Sequence, residues 1–584
     1  MKKLQIIYTY SIISILLVIA SCKKSALNQA PPTKLSDATF WHTTGDLQNY
    51  MNSLYSIFPL YTTNNGVMGI YNIDNNSDNM VPSGANARLN GQYTVNGNSG
   101  YPDYTHIRTV NYFLANYTKV SAAPSAIAPF VGEAYFFRAM LYFQALQSYG
   151  GVPYITSPLN LNDEAGLNSP RLPRNVLVDS IINDLNRAIT NLPTKSLAQT
   201  QRIYKEYAEG YEARVCLYEG TWEKYHANDA FGVSGQNGVN FLQLAATAAN
   251  TVITSAVFKL DNVPVPNGYF NLFNQTDYTT SKEIMFWGAF NLADNVVSYW
   301  QSFFSAGGST GLSKALVDDY LCTDGKPTSV SPLYKGDDSL AHVFKNRDPR
   351  LRQTIFFQGD TVVSNAPGNV PDALFTYPQF FNTTPNTTGY QIKKGFDSDY
   401  LQDSHNSAGG TTGVIYMRYA EILLIYAEAR AELGLLTQAD ADMTINVLRD
   451  RVGMTHLNIG AIATDPKWSY PELSPVINEI RRERRVELAC EGYRLDDINR
   501  WAAAPDVIVG KQPLGAMANQ FVTVVPGFTI GNTIYVNAQG YIERYAKTTA
   551  MAAGYQFNVK RDYLLPLTLA QTVINPLITQ NPGW

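Results

Sequence analysis

The sequence predicts a mainly α fold in which antiparallel helical pairs form a scaffold carrying large irregular excursions with few short strands. Two observations carry this. Apolar residues recur at intervals of three and four in many separate stretches, the spacing that places them on one face of a helix. Between those stretches, residues 61–103, 261–312, 357–414 and 503–560 are rich in Gly, Asn, Thr, Ser, Pro and aromatics and hold only brief strand-like runs. Irregular segments of that length are uncommon in compact domains and are often functional.

The chain opens with Met1-Lys2-Lys3, a mostly apolar run from Leu4 to Ala20, and then Ile19-Ala20-Ser21-Cys22. A positive start, an apolar stretch and small residues in that order read as a secretory signal peptide. The aliphatic residue, two small residues and cysteine resemble the bacterial lipobox. Residues 1–21 are therefore expected to be removed as a lipoprotein signal peptide, and Cys22 to be lipidated. Acyl chains add about 0.8 kcal/mol per buried methylene, enough for a multiply acylated Cys22 to hold the body on a membrane. Residues 22–36, with Pro31 and Pro32, form a polar leash. No later apolar run is long enough to cross a bilayer.

Helices follow over 38–58 and 104–120. Ala134, Phe137, Leu141 and Ala145 make one stripe and Phe136, Met140 and Phe143 a second, so that helix must be enclosed on most sides. Gly150-Gly151 and Pro153 end it. Further helices are expected over 174–191 and 240–256. Tyr204, Tyr207, Tyr211, Val215 and Tyr218 mark another, with Gly220 as its stop. Arg418 to Leu433, through Ile422, Ile425 and Ala429, ends at Gly434. Thr437 is placed to cap a second helix carrying Ile445, Leu448 and Val452 and closed by Gly453. The two make an antiparallel hairpin similar in unit length to a tetratricopeptide repeat, without that repeat's Trp/Leu/Gly/Tyr signature. A last helix covers 474–491.

Composition excludes some functions. A net charge of −4 with 16% charged residues argues against a nucleic-acid binder, which needs a basic face. Aromatics reach 12%, with 38 Tyr against 7 Trp, and Tyr suits a wet recognition surface because its ring is apolar and its tip polar. Cys216, Cys322 and Cys490 lie far apart with no C-x-x-C spacing. They are expected to be buried, unpaired, small apolar side chains, although one disulfide with one free thiol is compatible with the sequence. The six histidines are scattered, there is no H-E-x-x-H and no Walker A sequence. Gly307-Gly308-Ser309-Thr310-Gly311 contains G-x-S-x-G but lacks the preceding hydrophobic strand of a nucleophile elbow.

Three constellations stand out. Ser298-Tyr299-Trp300-Gln301-Ser302-Phe303-Phe304 packs four aromatics into six residues of an irregular segment. A pyranose has an apolar face that stacks on a ring, while its hydroxyls need Asn, Asp, Gln or Arg partners, so Trp300 first and Tyr299 second are candidates for sugar capture. Asp74-Asn75-Asn76-Ser77-Asp78-Asn79 begins like a calcium loop but has Asn79 where Gly, and Ala85 where Glu, is required. Its side chains would hydrogen-bond ligand hydroxyls or cap turns; a one-off structural calcium is the only cofactor the sequence offers. Glu483, Glu487 and Glu491, interleaved with Arg481, Arg482, Arg484 and Arg485, read as an ion-pair network locking the helix against Arg494 and its neighbours.

The stretch Glu483-Arg484-Arg485-Val486-Glu487-Leu488-Ala489-Cys490-Glu491-Gly492-Tyr493-Arg494, with Asp496, Asp497 and Arg500-Trp501, resembles the C-terminal hallmark of SusD/RagB-family lipoproteins. Gly132 to Ala139 with Tyr149 to Pro153, Arg347-Asp348-Pro349-Arg350-Leu351, Arg418-Tyr419-Ala420-Glu421, Tyr426-Ala427-Glu428-Ala429, Asn446 to Met454 and the ending Asn575-Pro576…Gln580-Asn581-Pro582-Gly583-Trp584 are similar in the same order. The resemblance spans essentially the whole chain. It implies a SusD-like body over 37–584, with an N-terminal part over about 37–220 and a C-terminal part over about 280–584. It further implies an outer-membrane lipoprotein facing the cell exterior, lying over a SusC-like TonB-dependent β-barrel and passing it glycans or peptides. In the family's early pattern of Trp, Tyr, Ile and Asn, the last three match Tyr104, Ile107 and Asn111. The Trp place falls on Gly100, beside Tyr101. Lys23-Lys24 stand where acidic residues often favour surface export, which keeps an inward-facing orientation open.

The candidate ligand-binding residues are thus Asp74, Asp78, Arg88, Tyr101, Tyr299 and Trp300, with no catalytic and no metal residues. The expected function is glycan binding without chemistry. The alternatives are a RagB-like peptide binder, a two-carboxylate glycoside hydrolase and a periplasmic helical-repeat adaptor.

Overall fold

A computed structural model of the chain describes residues 40–59, 69–95, 100–261, 267–402 and 409–584. The signal peptide, Cys22 and the leash lie outside the described residues. Helix α1 (Thr44–Asn52) starts later than the expected 38–58 because a capping box fixes its start: Asp46 N–H donates to Thr43 Oγ1 at 3.2 Å and Thr43 N–H to Asp46 Oδ2 at 2.7 Å. Helices α2 (Tyr104–Asn116), α3 (Pro124–Tyr149), α4 (Arg174–Asn191), α5 (Lys205–Tyr225) and α6 (Val239–Thr254) follow. Later come α7 (Tyr419–Glu432), α8 (Gln438–Met443), α9 (Ile445–Val452), α10 (Pro475–Glu487), α11 (Arg494–Arg500) and α12 (Leu569–Ile574).

Consecutive helices pack in series, α2 on α3, α3 on α4, α4 on α5, α5 on α6, α6 on α7 and α7 on α10. As expected, α3 is buried around most of its circumference. Its Arg138 meets Asp184 of α4 through two hydrogen bonds of 2.7 and 2.6 Å and donates to Asn111 Oδ1 of α2 at 3.0 Å, tying three helices at one point. Gly220 does not stop α5, which runs on to Tyr225. A Cβ at Gly220 would lie 2.8 Å from Leu242 Cγ, so glycine here lets α5 and α6 approach closely. The partner helix of the α7 hairpin is broken at Thr444, whose hydroxyl bonds the Asp440 carbonyl.

The excursions contain three two-stranded antiparallel ribbons: β1 (Ile284–Gly288) with β4 (Val414–Arg418), β2 (Thr361–Val363) with β3 (Ala373–Leu374), and β5 (Leu514–Met517) with β6 (Tyr541–Glu543). They enclose a second core around Trp300, Phe304, Tyr320, Tyr390 and Phe396. Cys216, Cys322 and Cys490 are buried and unpaired.

The charged face of α10 is the hinge between scaffold and excursions. Glu487 accepts from Arg350 at 2.8 Å, Arg418 at 2.6 Å and Arg451. Glu483 accepts from Arg350 at 2.6 Å and Arg449 at 2.8 Å, and Glu491 from Arg418 and Lys394. The network reading holds, but these partners come from distant segments rather than from the interleaved arginines. Those turn elsewhere, Arg484 to Asp497 and Arg485 to Asp78 and Asp319. The blocks around 347–351, 418–421, 446–454 and 483–494 thus meet in one buried network.

Candidate functional site

An open cleft of about 1140 Å³ lies between the start of α2, the loop 153–169 and the C-terminal turn at α12. Tyr101 and Tyr104 form its aromatic floor, their ring centroids 5.4 Å apart and tilted by 36°. Asp103 caps α2 by accepting from His106 N–H at 3.1 Å, which fixes the floor against the helix start. Tyr104 donates its hydroxyl hydrogen to the Pro153 carbonyl at 2.6 Å, and Asn111 Nδ2 donates to the Ile155 carbonyl at 2.8 Å, so the wall at 153–155 is held by α2. Asn575 Nδ2 donates to the Ser169 carbonyl at 3.0 Å and secures the opposite wall. Behind Tyr101, Arg171 bonds the Tyr149 and Gly151 carbonyls and Asn581 Oδ1, all at 2.6 Å. Burial pushes the Tyr101 phenol above its usual range, opposed by the Arg171 charge.

Five groups lining this cleft have no protein partner among the described residues: the Tyr101, Thr105 and Ser157 hydroxyls and the Asn162 and Gln571 amides. Aromatic floor and free hydroxyl and amide groups make a surface that stacks a sugar ring and hydrogen-bonds its edge. Asp103 is the only carboxylate among the described lining residues, and it is engaged by His106. Two lining residues are apolar and exposed, Leu161 at 92% and Ile574 at 71%, and Val573 and Leu577, close to Ile574 in sequence, are 80% and 54% exposed.

Of the six residues singled out from sequence, only Tyr101 lines this cleft. At Gly100, where the family pattern places Trp, a Cβ would lie 1.8 Å from the Tyr149 hydroxyl, so no side chain fits and Tyr101 supplies the ring. Asp74 is buried, and its carboxylate accepts from Asn79 Nδ2 at 3.0 Å, Cys490 N–H at 3.0 Å and Gly492 N–H at 3.1 Å. Asp78 accepts from Arg494 at 2.6 Å and Arg485 at 2.8 Å, which hold its carboxyl below the usual range despite burial. Both are corrected to structural roles, Asp74 engaged by three amide N–H donors and Asp78 by two guanidinium groups. Arg88 donates to the Asp562 and Tyr563 carbonyls at 2.7 and 2.8 Å, clamping the C-terminal segment.

In the aromatic stretch the expectation for Trp300 is corrected. Residues Gln301–Ala306 are a short helix, so Trp300 and Phe304 share the inward face while Tyr299 and Phe303 share the other. Trp300 is 2% exposed and packs on Gly69 and Phe304; Phe303 stacks on Tyr71, and Tyr299 is half-buried. Sequence reasoning missed Ser157, Asn162 and Gln571.

A mainly helical fold of serial helix pairs carrying a sugar-sized aromatic cleft defines the class. The family model described as the SusD family matches residues 272–584, and one described as starch-binding associating with outer membrane matches residues 27–217. The chain belongs to the SusD family. It is 25% identical over 538 residues to SusD-like protein P38 of Formosa agariphila, covering 87% of this chain and 94% of that one. Among solved structures, a SusD-like protein from Bacteroides fragilis aligns with a TM-score of 0.70 and 22% identity, covering 95% of this chain and all of that one. A SusD-like carbohydrate binding protein from the same species aligns with a TM-score of 0.69 and 21% identity over 93% of this chain and all of that one.

Proposed function

We propose that this protein is a lipid-anchored outer-membrane protein that holds an oligosaccharide in the Tyr101 cleft and delivers it to a SusC-like TonB-dependent barrel, without breaking bonds. The observation that carries the reading is the cleft itself, with its tilted tyrosine floor and five uncommitted polar groups. Family membership and the carbohydrate-binding description of a relative of the same fold support it. The absence of a facing carboxylate pair among the described lining residues favours binding over hydrolysis. The exposed apolar side chains of Leu161 and Ile574 at the cleft, with Val573 and Leu577 near Ile574 in sequence, suit a partner that closes over the loaded cleft, because exposed apolar surface marks interaction sites. The lipobox supports anchoring at Cys22, with the body facing the cell exterior.

Tagged protein isolated from detergent-solubilised outer membranes is expected to bring down a large β-barrel, and Val573→Glu with Ile574→Glu to lose it. Cys22→Ala is expected to release the protein into the soluble fraction. Chromatography of a glycan panel after incubation is expected to show no product. A product abolished by a single Glu→Gln change would replace this reading with a hydrolase, and retention of Cys22→Ala on membranes would remove the anchor.

A further inference from the structure

A second cleft, of about 720 Å³, opens elsewhere on the molecule, between α10, the turn 465–469 and the segment 505–514. Nothing in the Tyr101 cleft shares its residues. Its central feature is Trp468, a half-buried indole carried on a tight turn in which Trp468 N–H donates to the Asp465 carbonyl at 3.2 Å. The buried guanidinium of Arg482 lies over one face of the ring, 4.9 Å from its centroid. Arg482 is itself fixed, since it donates to Asp465 Oδ2 at 2.6 Å and pairs with Glu479. Asp465 Oδ1 in turn accepts from Ser329 Oγ at 2.7 Å and Lys467 N–H at 2.9 Å. The indole is thus pinned from behind before any ligand arrives, which lowers the ordering cost of stacking on it.

Uncommitted hydrogen-bonding groups surround that ring. The Gln512 amide nitrogen donates to the Met551 carbonyl at 2.8 Å, while its buried Oε1 has no partner. Lys467 and Lys511, both exposed, form no ion pair among the described residues. Asp78, Asp319 and Asp465 at the same cleft are paired with arginines and Asp318 with Lys314, while Asp506 forms no ion pair among the described residues. A fixed aromatic plane, one orphaned acceptor and two ammonium donors match a sugar's apolar face, hydroxyl hydrogens and hydroxyl oxygens.

We infer that the Trp468 cleft is a second carbohydrate-binding site, distinct from the Tyr101 cleft, that grips another stretch of the same class of glycan. The inference rests on the glycan-binding reading above. Two sites on one body would strengthen the grip on a long chain through effective concentration and leave short oligosaccharides to bind singly.

Calorimetry with maltoheptaose, laminarihexaose and cellohexaose tests it on wild type, Tyr101→Ala, Trp468→Ala and Gln512→Leu. For the sugar that binds, wild type is expected to take up two molecules per chain. Tyr101→Ala should weaken one event and leave the other at wild-type affinity, and Trp468→Ala and Gln512→Leu should each weaken that other event at least tenfold with unchanged melting temperature. A single binding event, abolished by Tyr101→Ala and untouched by both Trp468→Ala and Gln512→Leu, overturns the second site and leaves the first. Binding removed by Trp468→Ala alone overturns the first reading and keeps the second. No heat with any of the three sugars counts against both.

Discussion

Glu487→Gln probes the device that joins scaffold to excursions. In the native protein this fully buried carboxylate accepts from Arg350, Arg418 and Arg451, and the three guanidinium charges hold its pKa far below the ordinary carboxylate range against the opposing effect of burial. Glutamine keeps the shape but turns an amide N–H₂ toward a guanidinium and removes the only charge shared by all three arginines. Each arginine retains another acid, Arg350 with Asp348 and Glu483, Arg418 with Glu283 and Glu491, and Arg451 with Glu283. The loss is therefore that of one partner in a buried network, about 3–5 kcal/mol. A looser pair such as Lys205–Glu209, 3.8 Å apart with a partly exposed lysine over a buried glutamate, is worth less, about 1 kcal/mol. Urea denaturation followed by tryptophan fluorescence should show a large fall in midpoint for Glu487→Gln and a much smaller one for Lys205→Ala. The depressed pKa also fixes the sign with pH. The carboxylate's contribution is complete above the unfolded value of about 4.3 and is lost as pH falls toward the folded one. Wild type should lose midpoint below about pH 4.3, and the variant should lose less in that window. A variant within about 1 kcal/mol of wild type at pH 7 would refute the claim that this network joins the two halves.

Trp300→Ala should destabilise the protein by about 3–5 kcal/mol through a cavity in the second core, with glycan affinity unchanged by calorimetry; weakened binding at unchanged stability would return Trp300 to the ligand surface. Gly220→Ala should lower stability by about 1–3 kcal/mol, since the added methyl meets Leu242, and a neutral result would show that α5 and α6 separate freely. Asp496, which accepts from Gln147 at 2.8 Å, is pushed up to about 6 chiefly by burial and then by Asp497. A raised acid pKa means that ionising the group opposes folding as pH rises from about 4 through 6. Asp496→Asn is therefore expected to raise the urea midpoint at pH 7.5 and leave it unchanged near pH 4, and a drop at pH 7.5 would contradict the assignment.

The sequence made the helical scaffold legible because its apolar spacing is local and its stops are simple. The helices expected over 174–191, 240–256 and 418–433 are observed within two residues at each end. Gly220 misled because a glycine chosen for close packing looks the same in sequence as one that ends a helix. The ion network was legible in kind from the α10 carboxylates but not in its partners, since Arg350, Arg418 and Arg449 arrive from far along the chain. The binding surface was the least legible part. Asp74 and Asp78 sit among polar neighbours that suggest a loop surface, yet backbone amides and arginines from residues 485–494 engulf them. The aromatic run 299–304 lies in a sequence stretch without helical periodicity, and only its helical turn reveals which rings point inward. Tyr101 emerged because the family pattern led to its neighbour. Ser157, Asn162 and Gln571 carry no local signal, being brought together only by the fold.

The most direct measurement is calorimetry of purified wild type and Tyr101→Ala against the oligosaccharide that binds. Losing the half-buried ring that floors the cleft should cost about 1–2 kcal/mol, a fall in affinity of about 5–30-fold, with melting temperature unchanged and the sugar recovered intact. Equal affinity for both proteins would contradict the account.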